Sequence, residues 1–387
     1  MVIKKSAILI AKHSDLGKKV IVSVINDLVT DQRVHKTCTT LAEMGFDVLL
    51  VGRKLKNSPP VDERPYATHR MKLLFSKGPL FYAEYNIRLF FFLLFKKLDL
   101  LTSNDLDTLL PNFLVSKLKN KPLVYDSHEY FTEVPELVNR PVVQKIWKRI
   151  ESFIFPKLEN VFTVNDSIAK MFKKKYGKKP FVVRNIPYKE SVQKNKSRKD
   201  LNLPEDKFIM ILQGAGINIH RGAEEMVDAM QYIDNAILLI VGSGDVIDIL
   251  KKKAEIPEIK NKVIFKSRQP YNLLMQYTVN ADIGLTLDKA NNLNYKFSLP
   301  NKLFDYIKAE IPVLASDLPE IKIIIEKYDI GDFIPEHSPE KIAEKIKDIM
   351  NDKDKLKRWK TNLKKASEEM NWEKESEIIK KVYGKYV

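Results

Sequence analysis

The sequence has little cysteine, glycine or histidine. It contains one cysteine, Cys38, together with 13 glycines and six histidines in 387 residues. A single thiol excludes an internal disulfide and a thiolate metal cluster, so we expect Cys38 to be an ordinary buried residue of a helix. No two histidines have the spacing of metal ligands. We therefore predict neither a metal site nor a cofactor.

Long hydrophobic runs are also missing. The longest uncharged apolar run, Leu89–Phe95, is far shorter than the roughly 20 residues that span a bilayer. The amino-terminal segment Met1–Lys19 has lysines before a short apolar stretch, but it lacks the long apolar region and the cleavage site of a signal peptide. These absences predict a cytoplasmic protein.

Basic residues are in excess. The chain has 66 lysines and arginines against 50 aspartates and glutamates, a formal net charge of +16. Such a charge favours anionic partners, namely nucleic acid, an anionic lipid leaflet or phosphorylated substrates. The charge is spread along the chain, and no arginine-rich helix or basic–aromatic RNA-binding motif occurs. We expect no nucleic-acid binding, and the sequence leaves open a solvated lysine surface or a specific polyanion site.

Short β-branched runs alternate with helical patterns from end to end, which is typical of parallel α/β layers. The length of 387 residues favours two domains of about 190 residues each. In the first half the predicted strands are residues 20–25, 47–52, 98–103, 122–126, 160–164 and 181–185. A second alternation starts at Phe208 and continues to the basic helical patterns of the carboxyl terminus.

The segment after Pro187 has almost no apolar residues, which indicates an exposed linker. We predict a doubly wound, Rossmann-like domain at residues 1–187, a linker at 188–200 and a second such domain at 201–365. Residues 366–387 are expected to form a helix that packs back on the first domain. Because ligands of such sheets bind at the carboxyl ends of the strands, we expect a central cleft between the two domains.

Five of the 13 glycines lie in one short segment, residues 209–244. One apolar run stops at Gly214-Ala215-Gly216 and the next stops at Gly242-Ser243-Gly244, and a helical pattern follows each of them. Two consecutive strand–glycine–helix units are how a parallel α/β sheet presents backbone N–H groups to a phosphate. The segment therefore predicts nucleotide binding.

Further motifs accompany this segment in a fixed order. They are Asn26-Asp27 with Asp31–Val34, then Tyr125–Glu129, then the glycine turn with Arg221-Gly222, then Val241–Gly244, and finally Leu299–Ile307 with Ile311–Asp317. In this order they resemble the retaining, nucleotide-sugar-dependent glycosyltransferases of family 4, which have the GT-B fold. The resemblance covers nearly the whole chain. It implies two Rossmann-like domains facing a cleft, and sugar transfer with retention of configuration and without a metal.

The resemblance implies that the second domain holds the donor, with Arg221 on the diphosphate and Asp305 on the ribose hydroxyls. The family's second arginine is missing, and Lys302 is the candidate substitute; Phe297 stands where the family has a glutamate. The alternatives are a solvated arginine at a helix start and a carboxylate that balances Lys302 or Lys308 on a helix face. The candidate donor-binding residues are Gly214, Gly216, Arg221, Gly242, Gly244, Ser298, Asn301, Lys302 and Asp305.

His128 follows a predicted strand at the end that faces the cleft. A neutral imidazole there can hydrogen-bond the donor sugar or assist proton movement from the acceptor hydroxyl, and a structural histidine at a strand end is the alternative. Asp31 is expected to cap a helix. The candidate catalytic residues are His128, Arg221 and Lys302, and the candidate acceptor-binding residues are Asp27, Arg33, Asp126 and Glu129.

Two further segments have more than one interpretation. Asp105-Leu106-Asp107 looks like the metal-binding motif of the other large glycosyltransferase fold, but its place at a helix start favours turn and cap chemistry, so no metal is expected there. Leu80–Lys97 combines aromatic and basic residues. It is either a helix that lies in a membrane interface, suited to a lipid-linked acceptor, or a helix of ordinary core packing.

These observations predict a glycosyltransferase that moves a sugar from a nucleoside diphosphate sugar to a hydroxyl acceptor. The acceptor would be a glycan or lipid-linked glycan of the cell-surface polysaccharide type. We expect a cytoplasmic enzyme and leave open peripheral contact with the anionic inner face of the membrane. The alternatives are a nucleotide-sugar epimerase of the same fold, a non-enzymatic polyanion-binding protein, and a transferase inactivated by loss of the family's glutamate and arginine.

Overall fold

A computed structural model describes residues 17–387. The signal-peptide prediction depends on residues 1–16, which lie outside the described residues. The strands of the first sheet are β1 (Lys19–Ser23), β2 (Asp47–Lys54), β3 (Ala67–Lys72), β4 (Leu100–Asn104), β5 (Leu123–Ser127), β6 (Asn160–Thr163) and β7 (Phe181–Val182). Those of the second sheet are β8 (Phe208–Gly214), β9 (Ala236–Gly242), β10 (Val263–Lys266), β11 (Ile283–Thr286), β12 (Val313–Ala315) and β13 (Gly331–Phe333).

Both sheets are parallel and doubly wound, as predicted. The strand orders are β3-β2-β1-β4-β5-β6-β7 and β10-β9-β8-β11-β12-β13. The order reverses between β1 and β4 in the first sheet and between β8 and β11 in the second. Such reversal points open a crevice at the carboxyl ends of the strands, and each domain therefore has one natural ligand site.

Helices connect and follow these strands. In the first domain they are α1 (Gln32–Glu43), α2 (Gly78–Phe95), α3 (Leu106–Lys119), α4 (Pro135–Val138), α5 (Pro141–Ile154) and α6 (Asp166–Tyr176). The later ones are α7 (Ala223–Ala229), α8 (Ile247–Lys253), α9 (Tyr271–Val279), α10 (Leu293–Lys296), α11 (Asn301–Lys308), α12 (Pro319–Tyr328), α13 (Pro339–Asn351), α14 (Lys353–Glu369) and α15 (Trp372–Tyr383). Within residues 17–387, the helices are all too short or too polar to span a bilayer.

Every predicted strand is present, and β3 and β13 are additional. β3 has the sequence Ala-Thr-His-Arg-Met-Lys and pairs only with β2 at the edge of its sheet. An edge strand buries less of its side chains than a central strand does, so polar residues are tolerated there. The apolar pattern that reveals the inner strands is therefore absent from β3.

The first sheet buries an apolar cluster on each face. One cluster lies under α2, α3, α5 and α6, and the other lies under α1 and α15. Cys38 of α1 is fully buried in the second cluster, as expected. There the Trp372 indole N–H donates to Thr40 Oγ1 over 3.1 Å, so the last helix of the chain is part of the first domain's core.

Candidate active site

A cleft of about 620 Å³ lies between the two domains at the carboxyl ends of both sheets. This volume is typical of small-molecule sites, which span roughly 300–1,000 Å³. The predicted site residues that line it are Arg33, His128, Glu129, Gly214, Gly216, Arg221, Ser298, Asn301 and Lys302. The other predicted residues, which lie outside this lining, are Asp27, Asp126, Gly242, Gly244 and Asp305.

Arg221 lies in a loop and not in a helix, which corrects the sequence interpretation. The helix α7 begins two residues later, at Ala223, with Gly222 as its N-cap in the left-handed region at φ 72°. A Cβ at Gly222 would lie 2.3 Å from the Leu287 carbonyl oxygen. This close approach holds the Arg221 loop against the residues that follow β11.

Gly242 and Gly244 lie outside the cleft lining; the contacts that they make are supporting ones, and direct donor binding by them stays a prediction. A Cβ at Gly242 would lie 1.8 Å from the Gly214 carbonyl oxygen, and one at Gly244 would lie 1.9 Å from that of Ile217. The Ser243 N–H donates to the same Gly214 oxygen over 3.1 Å. The second glycine turn therefore packs behind the first and fixes its position.

We expect Gly242→Ala to lower both stability and nucleotide affinity. Gly242 has φ 149° and no space for a methyl group, so the substitution must displace the turn at Gly214. Overpacking of this kind costs about 1–3 kcal/mol, measurable by urea unfolding, and calorimetry should show weaker nucleoside diphosphate binding. Gly384→Ala is the matched control because a Cβ there meets nothing within 4 Å. Equal stability of the two variants would contradict the supporting role.

Two basic side chains meet one buried carboxylate in the second domain. Arg221 Nη1 lies 3.3 Å from Asp288 Oδ1, and Lys302 Nζ lies 4.0 Å from Asp288 Oδ2. The Arg221 guanidinium also lies over the Tyr295 ring at 4.7 Å. Asp288 was not predicted, although its position two residues after β11, beside the reversal point of the sheet, is a signal that could have identified it.

This trio has unused hydrogen-bonding capacity. Arg221 Nε and Asp288 Oδ2 are buried and have no hydrogen-bond partner among the described residues. Burial lowers the pKa of Lys302, while the Asp288 charge opposes that shift. Two cations against one carboxylate leave a net positive site, and buried polar groups normally find partners. The arrangement is suited to an anionic group that bonds both cations.

Asp305 lies outside the cleft lining, and tertiary contacts hold both of its oxygens. Tyr271 OH donates to Asp305 Oδ1 over 2.9 Å, and Gln213 Nε2 donates to Oδ2 over 3.1 Å. Burial raises the pKa of Asp305 to about 6, against the lowering effect of these hydrogen bonds. Contact with ribose hydroxyls stays a prediction, and it would use the second lone pair of these oxygens.

Phe297, which stands in place of the family's glutamate, packs against the apolar cluster of the first domain under α2, α3, α5 and α6. Asn165 Nδ2 of the first domain donates to the Phe297 carbonyl oxygen over 2.7 Å. Close by, Asn294 of α10 accepts from the Tyr130 N–H over 3.1 Å. The residue that replaced a polar donor contact therefore serves the interface between the two domains.

His128 lies between two carboxylates. Its Nδ1 lies 3.4 Å from Asp105 Oδ2, and its Nε2 lies 3.4 Å from Asp126 Oδ2 and 3.2 Å from Asn104 Oδ1. Burial alone would lower the pKa of His128, but the charges of Asp105 and Asp126 outweigh it and raise the pKa to about 9. The sequence interpretation used a neutral imidazole, whereas this pKa favours the imidazolium near pH 7.

Asp105 orients His128 and does not cap a helix through its side chain. It precedes α3 with φ 57° and makes no side-chain cap bond; instead its Oδ1 accepts the His128 backbone N–H over 2.8 Å. The cap interpretation of this motif was therefore wrong in its detail. In α1, by contrast, Asp31 accepts the Val34 N–H over 3.0 Å and is the predicted N-cap.

Arg33 and Asp126 are buried and bonded to each other. The Arg33 guanidinium donates to both Asp126 oxygens at 2.7 and 3.0 Å and to the Val183 carbonyl oxygen at 2.6 Å. Asp27 accepts the Val29 N–H within its own turn and lies outside the lining. Arg33 lines the cleft with its guanidinium already bonded, and contact of these three residues with an acceptor stays a prediction.

Glu129 remains as the predicted acceptor-side carboxylate that lines the cleft. Its Oε2 accepts from Asn294 Nδ2 of the second domain over 3.1 Å. Burial raises its pKa to about 7, with the Asp105 charge adding to the shift. Across residues 17–387, we find no group of three or more His, Cys, Asp or Glu side chains arranged to hold a metal ion.

Two protein families match the chain, one in each domain. Glycosyltransferase Family 4 matches residues 31–187, and Glycosyl transferases group 1 matches residues 193–366. Fold and matches together define a GT-B glycosyltransferase, and the chain belongs with the family 4-like members of that class. No curated protein sequence matches the chain.

Solved structures show the same fold at low sequence identity. Sucrose-phosphate synthase from Thermosynechococcus elongatus has a TM-score of 0.74 at 16% identity, covering 95% of this chain and 99% of that one. WaaG, a glycosyltransferase involved in lipopolysaccharide biosynthesis, has a TM-score of 0.70 at 15% identity, covering 94% and 98%. HepE from Anabaena, solved with UDP-glucose, has a TM-score of 0.69 at 13% identity, covering 94% and 99%.

Proposed function

We propose that this glycosyltransferase uses a nucleoside diphosphate sugar bound in the cleft and transfers its sugar to a hydroxyl acceptor with retention of configuration. The observation that carries the proposal is the convergence of the Gly214–Gly216 turn, Arg221 and Lys302 opposite His128 and Glu129. Nucleotide binding is supported by HepE, which was solved with UDP-glucose. The simplest experiment is calorimetry with UDP, GDP and ADP in turn, where saturable binding of at least one supports the proposal.

The diphosphate would bind Arg221 and Lys302. Charge-assisted hydrogen bonds from these side chains are stronger than neutral ones, and the negative charge that develops on the leaving diphosphate would strengthen them further. The two cations would thus stabilise the negative charge of the diphosphate without a metal, a role that a divalent ion has in other transferases. Transfer activity that survives treatment with EDTA would support this part of the proposal.

We propose retention because His128 is a cation in this site. A cationic side chain cannot act as the base that would take the proton of the acceptor hydroxyl. His128 has a pKa of about 9, so near pH 7 its ring has no proton-accepting nitrogen. The departing diphosphate can instead accept the acceptor's proton on the same face of the sugar. NMR analysis of the anomeric configuration of the first product tests this, and an inverted product would contradict it.

We expect Glu129→Gln to keep transfer activity within about tenfold of wild type. If Glu129 were a general base, its loss would cost roughly 10²–10⁴-fold. Gln keeps the size of the side chain and its contact with Asn294, so the interface between the domains is preserved. Initial rates of sugar transfer at saturating donor measure the effect, and a thousandfold loss would assign Glu129 the role of base.

The acceptor is proposed to be a glycan or lipid-linked glycan of the cell-surface polysaccharide type, used by a cytoplasmic enzyme at the inner face of the membrane. WaaG, which shares the fold, is involved in lipopolysaccharide biosynthesis. An epimerase of this fold would convert its donor without any acceptor. Incubation with nucleotide sugar alone, followed by analysis of the released sugar, separates the two: a changed sugar would indicate an epimerase.

A further inference from the structure

The helix α2 has two apolar faces, and only one of them is used in the core. Phe81, Tyr85, Leu89 and Leu93 are buried against the sheet. On the opposite face Ile87 is 58% exposed, Phe91 51% and Phe95 81%. The segment packs as a core helix and also presents a second apolar stripe to solvent, and the membrane-interface interpretation stays a prediction.

The stripe continues onto the two neighbouring helices. α3 exposes Leu114 and Leu118, and α5 exposes Val142, Ile146 and Phe153. The helices are in contact, since α2 packs on α3 and α3 packs on α5, and the Phe113 and Phe153 rings lie 6.2 Å apart. We call this outer surface of α2, α3 and α5 the apolar face. Exposed apolar side chains on adjoining helices of this kind mark an interaction site.

Basic side chains surround the apolar face, and carboxylates are withdrawn from it. The exposed basic residues on these helices or directly after them are Arg88, Lys96, Lys97, Lys117, Lys145, Arg149 and Lys157. Of the three carboxylates in α2, α3 and α5, Asp107 and Glu151 are buried, and Glu84 is paired with Arg88 at 2.8 Å. The three helices themselves therefore present positive charge without exposed negative charge, whereas Glu159, two residues after Lys157, is exposed.

This combination identifies the chemistry of the partner. Lysine is depleted in protein–protein interfaces, whereas apolar side chains flanked by lysines suit a bilayer, where the apolar groups enter the acyl boundary and the cations bind anionic headgroups. Lysine stems can also lie on aromatic rings with the charge in water: Lys157 Nζ lies 3.1 Å from the Phe153 ring centroid.

We propose that the apolar face binds the protein to the surface of an anionic lipid bilayer. Docking here would place one end of α3 at the membrane and the other end at the cleft, about 20 Å apart at 1.5 Å per residue, because α3 starts next to Asp105, which bonds His128, and ends at the basic rim of the face. Delivery of a lipid-linked acceptor to the cleft rests on the proposed function, whereas bilayer binding itself does not.

The test is sedimentation of the full chain with vesicles of phosphatidylcholine alone or with 30% phosphatidylglycerol (about one lipid in three, to give the surface charge of an anionic leaflet). We expect binding to the anionic vesicles, weakened by added salt, and little binding to the neutral ones. The double variant Ile87→Ser/Phe91→Ser should weaken binding at least tenfold. The matched control is Ile249→Ser/Ile323→Ser, which removes equally exposed side chains of the second domain and should bind as wild type.

The charge requirement has its own pair of variants. Lys96→Gln/Lys97→Gln/Lys117→Gln should weaken binding to anionic vesicles at least tenfold, whereas Lys357→Gln/Lys360→Gln/Lys364→Gln on α14 should not. Nucleoside diphosphate affinity, measured without vesicles, tests the proposed function separately. Absence of vesicle binding by wild type would overturn the proposal. It would also be overturned if each control variant lost as much vesicle binding as the variant that it is paired with. Self-association without lipid that Ile87→Ser/Phe91→Ser abolishes would also overturn it and assign the face to a second copy.

Discussion

Arg221→Ala is expected to weaken nucleoside diphosphate binding by about 100-fold or more, which equals at least about 2.7 kcal/mol. Arg221 is one of two cations that face the cleft beside the buried Asp288. Its removal takes away charge-assisted hydrogen bonds to the diphosphate and leaves Lys302 paired with Asp288 in a site without net charge. Calorimetry with the diphosphate that wild type binds measures the loss directly.

Two controls separate this effect from a general loss of structure. Arg358→Ala removes an exposed arginine of α14, and its nucleotide affinity should equal that of wild type. Arg221→Lys keeps the charge but loses the forked geometry of the guanidinium, so its affinity should lie between those of wild type and Arg221→Ala. An Arg221→Ala protein that is folded and binds with unchanged affinity would show that the arginine is merely solvated.

His128→Gln is expected to lower the rate of sugar transfer by about two to three orders of magnitude, with nucleotide affinity changed less than tenfold. The imidazolium lines the cleft and is fixed by Asp105 and Asp126, so it presents a preoriented positive charge to the reacting sugar. Loss of one preorganised electrostatic group typically costs about 10²–10³-fold in rate. Unchanged transfer by His128→Gln would make His128 a structural residue.

The same variant should also reveal the charge of His128 through stability. Because the folded-state pKa, about 9, is above the unfolded value of about 6.5, the stabilisation is fully present below pH 6.5 and is lost as the pH rises through 9. The difference in unfolding free energy between wild type and His128→Gln should therefore shrink by about 3 kcal/mol between pH 6 and pH 10.

Other groups titrate in the same range, so only the difference between the two proteins is informative. Burial lowers the pKa of Lys36 to about 7, and this contribution is common to wild type and variant. Burial raises the pKa of Glu129 to about 7, and because the His128 charge opposes that rise, the pKa of Glu129 should be higher in His128→Gln. Denaturant unfolding at several pH values measures the difference, and NMR titration of the His128 ring measures the pKa. A pH-independent difference would indicate a neutral histidine.

The fold could be predicted because its signals are local and repeated. Buried parallel strands are continuous apolar runs, and helices alternate with them. The two sheets, and their division between two successive domains, therefore follow from the pattern. The strands that were missed, β3 and β13, lie at sheet edges and lack that pattern. Cys38 and the Asp31 cap were predicted for the same reason, since burial of an apolar helix face and capping depend on near neighbours in the chain.

The site could be predicted only in part because its chemistry depends on distant contacts. His128, Arg221 and Lys302 were found from motifs, but the charge of His128 depends on Asp105, which is 23 residues away and looked like a cap. Likewise the assignment of Arg33 to an acceptor ignored its buried bond with Asp126, 93 residues away. A motif gives the position of a side chain, and only the folded chain shows which of its bonds are already made.

The central claim is that the Gly214–Gly216 turn, Arg221 and Lys302 form the diphosphate site of a cleft shared by both domains. A crystal structure of the chain with the nucleoside diphosphate that calorimetry selects among UDP, GDP and ADP tests it most directly. The account predicts phosphate oxygens within hydrogen-bond distance of Arg221 and Lys302, on the side that faces His128. A diphosphate bound elsewhere, or a cleft closed over these residues, would contradict it.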